Sequence, residues 1–210
     1  MKAFAAVSSV VLVLATAGIA SAAPIINPAD PALAGSTLID YDSTALGSFV
    51  SQVISGVTVA GIGGNLSIAN DGNGQFVPPD GGASDRFLDN RSGGPTFQWT
   101  FSSPVSAFGM VIGATNAQQT LTAYGILNNV LETVLIPNQV GTLPSPYSGF
   151  YGIAQAGIAR ATLTGADGDW VVTDDFRFNG GGAQVVPEPA TLTLLGLGLV
   201  GLRQRRRRRA

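Results

Sequence analysis

The chain contains no cysteine and no histidine. Disulfide bridges, zinc sites of the Cys/His type, and Cys–His or Ser–His nucleophilic catalysis are therefore excluded. Charge is also scarce: Asp, Glu, Lys and Arg make up 11% of the sequence, against about 25% in typical soluble domains. Long solvated helices need such residues. Their shortage, together with 28 glycines, points to short strands joined by turns. At 210 residues a chain can bury enough apolar surface to fold without disulfide staples, so the lack of cysteine is compatible with export.

The charge that is present is unevenly placed. Six of the 11 basic residues are Arg203 and Arg205 to Arg209, and another is Lys2. Between the ends stand Arg86, Arg91, Arg160 and Arg177 against twelve acids, a net of −8. An acidic body repels phosphate backbones, so nucleic acid is not an expected partner.

Lys2 precedes an apolar run from Ala3 to Ala20, and Ala20-Ser21-Ala22 offers small residues at the cleavage position. This is the pattern of a secretory signal, which implies signal peptidase and Sec-type export machinery as partners. A buried helix or membrane anchor is the alternative. The expected organisation is a signal peptide with its helix at 1–22, one domain at 23–179, a Gly-rich linker at 180–185 and a tail at 186–210.

In the tail, Val186-Pro187-Glu188-Pro189 leads into an apolar stretch at 190–202, which ends against Arg203, Gln204 and five further arginines, Arg205, Arg206, Arg207, Arg208 and Arg209. As a helix the stretch would rise roughly 20 Å at about 1.5 Å per residue, short of a bilayer core of about 30 Å. The arginines would stay on the cytoplasmic side and act as a stop. Such a short hydrophobic helix suits a transient hold in the inner membrane, with the domain outside.

The order of Pro187-Glu188-Pro189, the Gly/Leu-rich run Leu192 to Leu202 and the terminal arginines resembles the PEP-CTERM sorting signal of Gram-negative, often exopolysaccharide-producing bacteria. The resemblance covers about the last 25 residues. It implies recognition of Pro187, Glu188 and Pro189 by an exosortase, processing near that motif, and a final location at the cell surface or outside it. An ordinary C-terminal anchor with a stop-transfer cluster would also place the domain outside the inner membrane.

Between the ends the pattern is alternation, not helical periodicity. Phe97, Trp99 and Phe101 share one face of a strand, and Thr96, Gln98 and Thr100 the other. Strands are expected at 56–60, 66–69, 105–112, 120–126, 130–136, 148–154, 158–163 and 170–178, with Asn128-Asn129 turning one hairpin. This spacing predicts an all-β fold, a single β-sandwich. Leu38 to Asp42, Phe87 to Asn90, Phe101 to Gly109 and Val172 to Phe178 resemble pieces of exported jelly-roll domains found ahead of PEP-CTERM tails, which implies a jelly-roll-like fold.

Simple alternation puts Trp170, Val172, Asp174, Phe176 and Phe178 on one face. Asp174 would then point inward and need backbone donors, an arginine or a metal. If first and last strands pair, Asp40 and Asp42 approach Asp174 and Asp175, an oxygen-only set suited to Ca2+. Asp167-Gly168-Asp169 lacks the continuation of an EF-hand loop. A glycosidase would need two converging acids, and nothing in the sequence singles out such a pair, so no catalysis is expected. Tyr147, Tyr151 and Trp170 are candidate aromatics for stacking on polysaccharide, whereas Trp99 alternates with Phe97 and Phe101 and belongs in the core. Two functions follow: a structural component of the surface or extracellular matrix, or a carbohydrate-binding module, with or without calcium.

Overall fold

The computed structural model describes residues 23–70, 85–90, 96–113, 115–138, 147–165 and 169–180. The expected signal helix and C-terminal hydrophobic helix, and with them the sorting motif, lie outside these residues. The strands run in chain order as β1 (Thr37–Ile39), β2 (Gly47–Phe49), β3 (Ser51–Ile54), β4 (Val57–Ile62), β5 (Leu66–Asn70) and β6 (Arg86–Asp89). They continue as β7 (Thr96–Gly113), β8 (Gln119–Tyr124), β9 (Val130–Ile136), β10 (Tyr147–Thr164) and β11 (Val172–Gly180). All pairings between them are antiparallel. Among the described residues the only helical element is a 3-10 turn, Pro31–Leu33, started by Asp30 Oδ1 accepting from the Ala32 N–H at 2.8 Å.

Two long strands organise the fold. The first half of β7, Thr96 to Phe101, lies between β4 and the second half of β10. Its second half, Val105 to Gly113, lies between β11 and the first half of β10. The β7–β10 register shifts between Ala154 and Arg160, opposite Thr100 to Val105, and such irregularities let a strand bend. One hydrogen-bonded sheet thereby supplies two facing layers. The first is β3-β4-β7-β10-β8-β9. The second is β2-β5-β6-β11-β7-β10, with β1 also on β11.

Aromatic rings join the layers. The fully buried Trp99 of β7 stacks on Phe97 at 5.7 Å and on Phe176 of β11 at 5.3 Å. Phe176 also meets Phe101 and Phe108, each at 6.1 Å. The placement of Trp99 in the core follows the sequence expectation.

The outer face of the second layer is apolar, and the N-terminal segment covers it. Ile25 and Leu33 pack on Ala107, Val111 and Phe150, while half-buried Trp170 packs on Ala69, Phe87 and Val172. Ile25 exchanges backbone hydrogen bonds with Gly152 at 3.0 and 2.8 Å. A Cβ on Gly152 would sit 2.2 Å from the Phe108 carbonyl oxygen, so only glycine fits this crossing.

The alternation expected along β11 fails at one residue. Asp175 adopts φ 48° and the β11–β7 register slips between Asp174 and Arg177. An extra residue at a bulge inverts the faces. Val172 therefore lies on the outer side with Phe87, and Phe176 in the central core. Trp170 and Val172 therefore do not share a face with Phe176 and Phe178. First and last strands do pair as expected, with Ile39 opposite Phe176 and Thr37 opposite Phe178. The turn at Asn128 also matches expectation: its φ is 61°, and its N–H donates to the Gly125 carbonyl at 2.9 Å.

Candidate functional site

The four candidate calcium ligands are engaged locally. Asp40 Oδ1 accepts from the Asp42 N–H at 3.2 Å, and Asp42 Oδ1 from the Arg86 N–H at 3.0 Å. Asp174 Oδ1 accepts from the Asp175 N–H at 2.7 Å, and Asp175 approaches Arg177 at 4.0 Å. Strand pairing brings the two segments side by side, but among the described residues no three acids converge on a common point.

Beside them sits a buried polar knot. Tyr41, 1% exposed, holds φ 60°, a left-handed conformation that is rare for a bulky residue. Its hydroxyl accepts from Trp99 Nε1 at 3.4 Å. Burial pushes the phenol well above its ordinary value, the Trp99 hydrogen bond opposes this, and the Asp174 charge adds to it. Thr173 Oγ1 lies close enough to favour the phenolate slightly, yet makes no hydrogen bond of normal geometry. The folded state therefore holds the Tyr41 proton more tightly than the unfolded state does. Its contribution to stability is complete below about pH 10, the ordinary tyrosine value, and is lost as pH rises above that. In an alkaline titration followed by phenolate absorbance, one of the four tyrosines should ionise only together with loss of β-sheet circular dichroism.

The Asp167-Gly168-Asp169 cluster resolves at Asp169; Asp167 lies outside the described residues. Asp169 is 6% exposed. Its carboxylate accepts from the N–H of Asn116 at 3.0 and 3.2 Å, the N–H of Ala117 at 3.1 Å and Gln119 Nε2 at 2.6 Å. Asn90 grips the same segment, donating from Nδ2 to the Asp169 carbonyl and accepting from the Val171 N–H, both at 3.0 Å. Asp169 is thus a latch between the approach to β11 and the approach to β8.

Two of the aromatics expected to stack on sugar, Tyr151 and Trp170, lie on opposite sides of the second layer. Tyr151 is half-buried on the inner side of the second layer, where burial raises its phenol pKa. Trp170 packs on the outer side of the same layer. Tyr147 begins β10 opposite Gly113; its side chain is outside the described set. The β11 bulge and the covered outer face separate residues that simple alternation would group.

The outer face of the first layer brings together residues that no local sequence pattern groups. Every second residue of its strands turns away from the core, and register sets these residues in three rows. One row runs Ile62, Thr96, Thr164, Thr120, Leu135; the next Ala60, Gln98, Thr162, Thr122, Thr133; the third Thr58, Thr100, Arg160, Tyr124, Val130. Thr164 Oγ1 donates to Thr96 Oγ1 at 3.3 Å, and Gln98 Nε2 to Thr100 Oγ1 at 3.4 Å. Arg160 is fixed at one end, with its guanidinium 3.8 Å from the Tyr124 ring centroid, Nη1 donating to Gln98 Oε1 at 3.2 Å and Nη2 donating to Asn128 Oδ1. These rows contain no carboxylate. An open cleft of about 430 Å³ at the bend, lined by residues including Ser55, Phe101, Ser102, Ser103 and Phe178, also contains no titratable group.

β11 ends at Gly180, just before the proline-containing tail. The family model of the PEP-CTERM protein-sorting motif matches residues 185–209. The chain carries a PEP-CTERM sorting signal. The PEP-CTERM tail marks it for exosortase-sorted export through a membrane-held intermediate to the cell surface.

No curated protein matches the chain in sequence. Among solved structures, the chain overlaps the K1 cleaved adhesin domain of Lys-gingipain from Porphyromonas gingivalis W83 with a TM-score of 0.43 and 11% identity, covering 66% of this chain and 99% of that one. A DUF4465 family protein from Bacteroides caccae gives 0.39 at 8% identity, over 76% and 100% of the two chains. A family 6 carbohydrate-binding module gives 0.33 at 14% identity, over 69% and 94%. Overlaps this shallow carry no argument about function.

Proposed function

We propose that this chain is an exported surface or extracellular-matrix protein of a Gram-negative bacterium, sorted by an exosortase, with a jelly-roll-like β-sandwich as cargo and no catalysis of its own. The sorting motif at residues 185–209 carries this reading. Pro187, Glu188 and Pro189 are the recognition element, 190–202 the transient membrane segment, and Arg203 with Arg205 to Arg209 the cytoplasmic stop. Signal peptidase and Sec-type machinery act first, and exosortase second. Intact-mass measurement of surface and membrane fractions checks the order. The wild-type mature protein should lack Arg205 to Arg209, whereas a Pro187-Glu188-Pro189 deletion should keep them and stay with the inner membrane. Mature wild-type protein that retains the arginines would sink the proposal.

A second reading is a carbohydrate-binding module, with calcium at Asp40, Asp42, Asp174 and Asp175 as one form of it. The carboxylate-free, hydroxyl-rich outer face favours binding of a polyol, because Thr hydroxyls both donate and accept while their methyl groups meet C–H surfaces.

A further inference from the structure

The two outer faces of the fold are treated in opposite ways. The second layer's outer face is apolar and carries its own cover, Ile25 to Leu33 and Trp170. The first layer's outer face presents threonines, partly or fully exposed at Thr58, Thr96, Thr100, Thr120, Thr133 and Thr164. Thr122 and Thr162, in the middle of the array, are 8% and 6% exposed.

Charge selects among occupants. The body between the two ends holds twelve acids and a net of −8, yet none of those acids stands in the three rows. A polyanion would meet repulsion from the body with a single local cation to offset it. A polycation would find no carboxylate on the face to pair with. A neutral chain of hydroxyls meets neither obstacle. The rows repeat at about 4.8 Å across strands and about 7 Å along them, so an extended chain lying across β4, β7, β10, β8 and β9 can contact each strand in turn. At one end the Arg160–Tyr124 stack is held from both sides by Gln98 and Asn128. It is ready to receive a sugar ring without further ordering.

We propose that the outer face of the first layer binds a neutral, extended polysaccharide across its threonine rows, anchored at Tyr124 and Arg160 and independent of calcium. This rests on the carbohydrate-binding reading of the domain and names its site and ligand class. Affinity electrophoresis of the full chain through gels containing a neutral β-glucan, a galactan or an acidic alginate, with and without EDTA, tests it. Retention by a neutral gel, unchanged by EDTA, is expected. Tyr124→Ala should weaken retention roughly tenfold, and Thr120→Val with Thr133→Val at least about threefold. Valine keeps the branched shape that suits a strand, and melting curves show that each variant is folded. Retention that survives all these substitutions overturns the site and leaves carbohydrate binding standing. Retention by alginate alone, or its loss in EDTA, overturns the ligand class. No retention in any gel overturns both readings.

Discussion

Trp99→Ala should cost about 3–5 kcal/mol, the range for deleting a large buried aromatic. Trp99 is fully buried, stacked within 12° of parallel on Phe176 and within 5° on Phe97. Removing it opens a void between the layers and leaves the Tyr41 hydroxyl without its donor. Folded domains are stable by only about 5–15 kcal/mol. A domain of this size loses about 2–4 °C per kcal/mol, so the melting temperature should fall by about 6–20 °C. Trp99→Phe keeps the stack and should cost clearly less. Thermal denaturation by circular dichroism reads both, with Trp170 remaining as a fluorescence probe. Equal losses for alanine and phenylalanine would mean that stacking across the layers is not what holds them.

The second large effect is expected at Asp169. Alanine there strands the N–H groups of Asn116 and Ala117 and the amide of Gln119, at a cost of about 3 kcal/mol. Asparagine with its oxygen at the Oδ2 position still faces all three donors but is uncharged and turns its NH2 towards the Asn116 N–H, so an intermediate loss of about 1–2 kcal/mol is expected. Hydrogen exchange separates a latch from a general packing residue. Protection should fall first at Asn116 to Gln119 and at Val171. A uniform fall across β7 and β10 would contradict the latch.

Much of this fold is legible in the strand alternation. Phe97, Trp99 and Phe101 lie inward, β9 spans Val130–Ile136 as expected, and the Asn128 turn takes its positive φ. Ser102-Ser103-Pro104 reads as a break, yet β7 runs through it because each half has different neighbours. No local pattern encodes that. β2 and β3 are short edge strands with mostly exposed side chains, so they show little periodicity to detect. The Asp175 bulge is hidden for another reason: aspartate is common in ordinary strand ends and turns, and its φ of 48° follows from tertiary pairing.

The candidate site was harder to read. Thr-x-Thr alternation is visible at 120–122 and 162–164, but the rows exist only once register sets Thr162 beside Thr122 and Gln98. Arg160 looks like an isolated surface charge until Tyr124 and Asn128 arrive from another hairpin. Asp169 stands out in the sequence as an acid beside glycine, while its partners lie about fifty residues earlier.

The position of β11 bears on the timing of export. It is the last strand of the described chain, yet it lies inside the sheet, with β7 on one side and β1 and β6 on the other. A chain threaded outward from its N-terminus delivers every other strand first and leaves a central slot open against Phe101 and Phe108. Phe176 fills that slot, and Gly180 is only seven residues before Pro187, at most about 25 Å of extended backbone. On the export route proposed above, closure of the domain would therefore coincide with arrival of the sorting motif at the outer face of the inner membrane. On that route completed folding and readiness for processing would be the same event, and a chain stalled short of Phe176 would stay open to proteases.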